Sequence, residues 1–419
     1  MLFPSLDIRR EEAAGVAWSF LYFFALLCAY YILRPVREAM GVQAGVQNLP
    51  WLFTATFLVM LLAVPVFGAL TARWPRRIVL PAVYLFFIAN LVGFWLAFRV
   101  DTWMTVAAPV FFVWLSVFNL YAVSVFWSFM VDLYSEPQSR RLFGYIAAGG
   151  TAGALTGPTL TATLVSATGP APLLLFSALL LGVCVLCIAR LGRWARLTSH
   201  DTARATGAPL GGGVWDGFRA VLRSRYLLGI CGYLFAYTVL STLLYVETAR
   251  LVADAYPTVA GRTQLFAMLD LAVNGLTLFV QVFLTARLIR GLGVTATLAL
   301  LPAFAVIGFA LIGFFPVLAV VLVFGVLRRA GEFALSKPAR EILFTVVPRD
   351  EKYKAKNFID TVVYRGGDAT SSWIGTGLRA LGGGLTTIAA FAVPLSLAWL
   401  ALAVWLGRRQ ERSSVNRAR

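Results

Sequence analysis

Twelve long apolar runs, separated by short polar connections, constrain what this 419-residue chain can become. A run of about 20 apolar residues crosses the hydrocarbon core of a bilayer as a helix. The runs fall near 12–34, 49–71, 78–99, 103–131, 142–166, 169–192, 226–251, 262–286, 293–315, 317–345, 357–379 and 382–407. Sixty per cent of the residues are hydrophobic and 13% are charged. A soluble domain carries about a quarter charged residues, so the chain reads as an all-α integral membrane protein.

The net charge of +17 would suggest a nucleic-acid partner in a soluble protein. Here the cations gather in alternate short connections, as the positive-inside rule expects. Arg9 and Arg10 precede span one, Arg73, Arg76 and Arg77 follow span two, and Arg140 and Arg141 follow span four. Arg287 and Arg290 follow span eight, and Lys352, Lys354 and Lys356 follow span ten. No nucleic-acid partner is therefore expected, and both termini are placed on the cytoplasmic side. No cleavable leader is expected, because the first apolar run is too long and lacks a small-residue cleavage site. Cys28, Cys184, Cys187 and Cys231 all lie in apolar runs and read as packing residues. His200, the single histidine, lies in a polar connection, so neither a histidine metal site nor a Ser-His-Asp triad is expected. No metal, cofactor or enzymatic reaction is expected.

The longest polar stretch, 193–224, reads as a linker between an N-terminal bundle at 1–192 and a C-terminal bundle at 225–419. The two halves look related. LTAR at 70–73 returns at 284–287, the segment at 131–144 faces 345–358, and Gly149-Gly150 faces Gly366-Gly367. A shared offset in step with the topology points to a parallel repeat. Two pseudo-symmetric six-helix bundles joined by a cytoplasmic linker resemble the major facilitator architecture.

Charges inside the spans carry the functional reading, because an ionisable group at the bilayer centre costs roughly 2.5–3.5 kcal/mol even on the lenient insertion scale. Span ten holds Arg328, Arg329, Glu332, Lys337, Arg340 and Glu341. Arg328 and Arg329 precede Glu332 by one turn, so Glu332 can neutralise one of them and leave the other for a ligand. Lys337, Arg340 and Glu341 either snorkel or form an inner gate. Span one ends in YYILRPVREAM. There Arg34 can pair with Glu38 four residues on, and Pro35 is expected to break or kink the helix. Arg34 and Arg37 are either interfacial cations or part of a cavity lining, with Glu247 and Arg250 of YVETAR as counterparts in span seven. Asp132, near the end of span four, is placed against Arg140 and Arg141 as a gate. Asp270 and Asn274 share one face of span eight. A mid-membrane Asp270 needs a partner from another helix, a proton, or a substrate contact. In span eleven Asn357, Asp360, Tyr364 and Asp368 make one polar stripe, with Arg365 beside it and able to pair with Asp368.

YYILRPVREAM, FWSFMVDLYSEPQSRRLFGYIAAGG and KPAREILFTVVPRDEKYKAKNFIDTVVYRGGD resemble the ATP/ADP-exchanging nucleotide carriers of plastids and intracellular bacteria, and their shorter bacterial relatives. The resemblance implies a twelve-helix major facilitator-like fold and exchange of nucleotides without catalysis. It matches Arg34 to a family arginine, Arg37 to a lysine and Glu38 to its acid. Arg365 matches a second arginine, while Asp368 stands where the exchangers carry lysine. The expected function is transport of a small organic anion, foremost a nucleotide or phosphorylated metabolite, by alternating access across a bacterial inner membrane, as a monomer. Substrate would be held by Arg34, Arg37, Glu247, Arg250, Arg328, Arg329, Glu332, Tyr364 and Arg365. Asp270, Asn274, Asp360 and Asp368 would balance charge or carry a proton. The alternative is a proton-coupled carrier of another solute.

Overall fold

The computed structural model describes residues 8–73, 76–197, 219, 221–348, 351, 355–356 and 358–418, without the side chains of 67, 68, 70–72, 76, 77, 360, 361 and 414–418. Most of the expected linker, His200, Lys352, Lys354 and Asn357 lie outside the described residues. Each of the twelve expected spans is helical, and no strand occurs among the described residues. The helices are α1 (Arg10–Gln43), α2 (Leu49–Arg73), α3 (Arg76–Ala97), α4 (Asp101–Leu133), α5 (Glu136–Thr168) and α6 (Ala171–Leu197). The second series is α7 (Arg225–Ala255), α8 (Val259–Val280), α9 (Ala286–Phe314), α10 (Leu318–Gly331), α11 (Lys337–Leu343), α12 (Tyr364–Ala380) and α13 (Leu385–Ala418).

Among the described residues, eight helical stretches are long and apolar enough to cross a membrane, and Val259–Phe314 covers spans eight and nine together. Spans five, ten and eleven fall short because they are too polar or too charged, and π-helical turns also interrupt spans ten and eleven at Glu332–Ser336 and Ile359–Val363, leaving α-helical pieces of 14 and 17 residues. A third π turn, Gln281–Thr285, joins α8 to α9. Such turns widen the helix and free backbone carbonyls. Gln281 Nε2 donates to the Phe333 carbonyl at 3.1 Å, and Thr285 Oγ1 donates to that of Ala334 at 2.8 Å. Near the start of α9 the path breaks at Gly293, whose φ of 79° suits only glycine without strain. Glu411 of α13 accepts from Thr295 N–H at 3.1 Å, just beyond that break.

Two corrections concern span one. The helix does not stop at Pro35 but continues to Gln43, and Pro35 itself is buried. At about 1.5 Å per residue its 34 residues outreach the hydrocarbon core. Arg34, Arg37 and Glu38 therefore sit inside a continuous helix rather than at its frayed end.

By contact the chain divides into unit 1 (1–44, 62–207 and 257–271) and unit 2 (45–61, 208–256 and 272–419). In unit 1, α1 packs along α5, α6 and α4. Glycines make the α1–α5 approach possible: a Cβ on Gly157 would stand 2.8 Å from the Cys28 carbonyl oxygen, and one on Gly153 2.8 Å from Cys28 N. Both obstacles are main chain and cannot rotate aside. Tyr22 donates to Tyr84 Oη at 2.7 Å, and Tyr84 donates in turn to the Ala122 carbonyl at 3.1 Å, so these fully buried phenols are satisfied. The Ser135 N-cap begins α5 with its N–H donated to Gln138 at 3.0 Å, the reciprocal arm of a capping box. In unit 2, α7 packs against α12 and α13, and α9 packs along α13. Trp399 of α13 is buried against the rings of Tyr233 and Tyr237.

Candidate functional site

Unit 1 brings together the cations of α1 and the aspartate of α8. Arg34 Nη1 lies 3.1 Å from Asp270 Oδ1, and Asp270 is buried. The partner that Asp270 required comes from another helix, 236 residues away in sequence. Arg37 also holds Glu38: its Nη1 donates to Glu38 Oε1 at 2.9 Å, while its Nε donates to the Phe112 carbonyl at 3.0 Å. The Arg37 guanidinium also lies 3.6 Å from the centre of the Phe112 ring, a close cation–π contact. Neighbours in sequence, Arg34 and Arg37 are thus turned to different carboxylates.

A second cluster closes the Arg10 end of α1. Glu12, 2% exposed, accepts both nitrogens of the Arg141 fork at 2.9 and 2.8 Å. Gln138 Nε2 and the Arg9 N–H add bonds of 3.1 Å each. Arg140 instead pairs with Glu136 at the surface. Asp132 is half-buried in the last turn of α4. Of the three expected gate residues here, Arg141 is the one clamped to α1. Glu12, unremarked in the sequence because it stands among ordinary helix-start acids, is its anchor.

Unit 2 holds the larger polar interior. Arg328 is buried at 4% exposure, donates from Nη2 to Ser241 Oγ at 3.0 Å, and sits 5.5 Å from the centre of the Tyr237 ring. Its Nε and Nη1 are buried without a hydrogen-bond partner, and among the described residues no carboxylate pairs with it. The ion-pair partner of Glu332 is Arg340, at 3.4 Å, rather than Arg328. The π turn at Glu332–Ser336 supplies the reason: it changes the helical register between the two, so that residues eight apart meet. Arg340 is therefore a buried partner and not a snorkelling cation. Glu332 Oε2 is buried without a hydrogen-bond partner. Arg329, beside Arg328, is half-buried, Lys337 is exposed, and Glu341 accepts from Lys356 at 2.6 Å.

Further along, Arg365 lies 3.7 Å from Asp368, which also accepts from Thr242 Oγ1 at 2.9 Å. Tyr364 faces Tyr237 with ring centres 6.3 Å apart. The side chain of Asp360 lies outside the described residues, and Asn274 is half-buried one turn beyond Asp270. Glu247 is buried and takes both arms of Arg379, Nε at 2.9 Å and Nη2, while Arg250 stands 3.8 Å away. Sequence reading missed Ser241, Thr242, Tyr237 and Arg379. A faint signal existed for two of them, since Tyr233, Tyr237 and Ser241 recur at four-residue spacing along α7. Two apolar grooves, about 610 Å³ on α3 and α4 and about 340 Å³ on α9 and α10, contain none of these residues in their walls. Among the described residues no group of three His, Cys, Asp or Glu side chains could hold a metal.

A family model described as Major Facilitator Superfamily matches residues 16–367. Among solved structures, the chain is similar to a nucleoside transporter, NupG, at 12% identity and a TM-score of 0.66, covering 94% of this chain and 99% of that one. It is similar to a bacterial homologue of the iron transporter ferroportin in its inward-facing state, at 15% identity and a TM-score of 0.65, covering 96% and 98%. It is also similar to a bacterial homologue of the human lysosomal transporter Spinster, at 14% identity and a TM-score of 0.57, covering 97% of each. At these identities the likeness is one of fold. No curated relative matches in sequence.

Proposed function

Because the chain belongs to the major facilitator superfamily, it is a multi-pass membrane transporter rather than an enzyme, and we propose that its solute is an organic anion, foremost a nucleotide or other phosphorylated metabolite, exchanged by alternating access. The observation that carries this reading is Arg328. A buried guanidinium whose Nε and Nη1 have no partner is expensive unless a ligand or water supplies acceptors. Its planar fork suits two-point capture of a phosphate or carboxylate. Arg329 and Arg365 add cations in unit 2, and Arg34 and Arg37 form a separate cationic set in unit 1. The printed solutes of the structural neighbours are varied, a nucleoside for one and iron for the homologue of another. The preference for a nucleotide therefore rests on the resemblance of spans one, four to five and ten to eleven. The basic connections favour an inner membrane of a bacterium, with both termini in the cytoplasm.

The test is uptake of labelled ATP, AMP and glycerol phosphate into proteoliposomes preloaded with the same compounds. Exchange that requires internal anion and disappears in Arg328→Gln supports the proposal. Equal flux in Arg328→Gln removes it.

One observation favours a second reading, a proton-coupled carrier of another solute. Asp270 is buried within a span and bonded to a cation of another helix, as proton-relay carboxylates are. Flux driven by a pH gradient, lost in Asp270→Asn and independent of internal anion, would favour it over exchange.

A further inference from the structure

We infer that the anionic group held in unit 2 bears a single negative charge and a hydrogen-bond donor beside it, as a hydroxy-carboxylate or the monoprotonated phosphate group of a larger solute does. The inference rests on the anion-site reading above and narrows its ligand.

Two unmatched groups of opposite kind lie one helical turn apart. Arg328 offers two N–H donors, and Glu332 offers one acceptor, Oε2. Both residues are 4% exposed. A four-residue step places them on one side of the helix, and the Arg328 guanidinium lies 5.5 Å from the centre of the Tyr237 ring. Glu332 cannot turn its spare oxygen away without releasing Arg340, which its other oxygen holds at 3.4 Å. A ligand that only accepts hydrogen bonds would satisfy Arg328 and set a lone pair against the Oε2 of Glu332. A ligand with a donor next to its anionic oxygens satisfies both. Charge points the same way. Among the described side chains of this cluster, the fully buried charges are Arg328 and Arg340 against Glu332, a surplus of a single positive charge, and Arg365 with Asp368 adds none. One negative charge neutralises the cluster, whereas a second would face the Glu332 carboxylate in a medium that screens poorly.

The experiment uses the full chain in lipid nanodiscs and two matched pairs of probes. Lactate and propionate share a carboxylate and differ by one hydroxyl. Inorganic phosphate at pH 6 and sulfate share a shape and differ in charge and in donors. Affinities are measured by calorimetry and by thermal unfolding. Wild type is expected to bind lactate and phosphate at least about tenfold more tightly than propionate and sulfate, the worth of one charge-assisted hydrogen bond. In Glu332→Gln the amide oxygen stays with Arg340 and the NH2 takes the place of Oε2, so the acceptor becomes a donor. Both preferences should then vanish or reverse. Equal affinities within the wild-type pairs, preferences that survive in Glu332→Gln, or no binding of any of the four probes would overturn the inference. The wild-type comparison needs no variant, so a poorly folded Glu332→Gln protein would not obscure it. Arg328→Gln separates the two levels of the argument. If binding persists without Arg328, the anion-site reading itself fails; if binding is lost but the pairs never differed, only the donor requirement fails.

Discussion

Replacing Gly153 by alanine measures how closely α1 and α5 are packed. The added Cβ would lie 2.8 Å from Cys28 N, and nearer still to the Phe24 carbonyl oxygen. Ordinary contact begins near 3.4 Å, so the helices must part by at least about 0.6 Å, and over their shared length that displacement loosens every neighbouring contact. Overpacking of this kind costs about 1–3 kcal/mol. Alanine also gains roughly 0.5–1 kcal/mol over glycine in a helix, which would mask part of the loss. Gly182 of α6 supplies the correction, because a Cβ there meets nothing within 4 Å. Gly182→Ala collects the helix term alone, so subtracting it isolates the packing penalty. Reversible unfolding in mixed micelles should place Gly153→Ala about 1–3 kcal/mol below Gly182→Ala. A double variant at Gly149 and Gly153 should cost less than the sum, since one displacement relieves both. If the two single variants are equally stable, the helices do not touch as described.

Arg141→Ala should lower stability by about 3 kcal/mol, because it strands the Glu12 carboxylate in a buried site, while Arg140→Ala, at an exposed pair, should leave the unfolding midpoint where it was. In unit 1, Arg34→Ala and Asp270→Ala should each destabilise by about 3 kcal/mol, and the double variant should recover part of the loss because no charge is left alone. A double variant worse than either single one, by the same unfolding assay, would count against the pair. Thr285→Val should cost about 1 kcal/mol by removing the donor to the Ala334 carbonyl, and an unchanged midpoint would mean that water serves that carbonyl equally well.

The helices were legible because apolar length is a local property, readable wherever twenty residues avoid charge. Their irregularities were not. Nothing in Glu332–Ser336 or Gln281–Thr285 announces a π turn, and without one Arg340, eight residues on, is not a foreseeable partner for Glu332. Pro35 misled for the opposite reason: its cost is real for an isolated helix, but the surroundings that bury Pro35 let α1 run on. Asp270 illustrates the limit of a single chain read alone. Its need for a cation followed from its depth, whereas the identity of that cation, Arg34, depends on which helices meet. Thr242 gave no signal, and Ser241 gave only its four-residue spacing from Tyr237, because hydroxyls in apolar helices routinely bond to their own preceding turn, and only the arrangement of α7, α10 and α12 shows that these two do otherwise.

The donation of two side-chain hydrogen bonds from the π turn at Gln281–Thr285 to the one at Glu332–Ser336 has a mechanical meaning. A helix in hydrocarbon can flex only where its loosened carbonyls already have someone to hold them. Phe333 and Ala334 are held by Gln281 and Thr285, residues that themselves occupy a widened turn. Each soft spot is thus stitched to the other. A tilt that opened one would pull on the stitch and be met at its neighbour, so these two segments are built to yield in concert, with the cost of bending shared between a pair of side chains that can re-form their bonds within a single stroke.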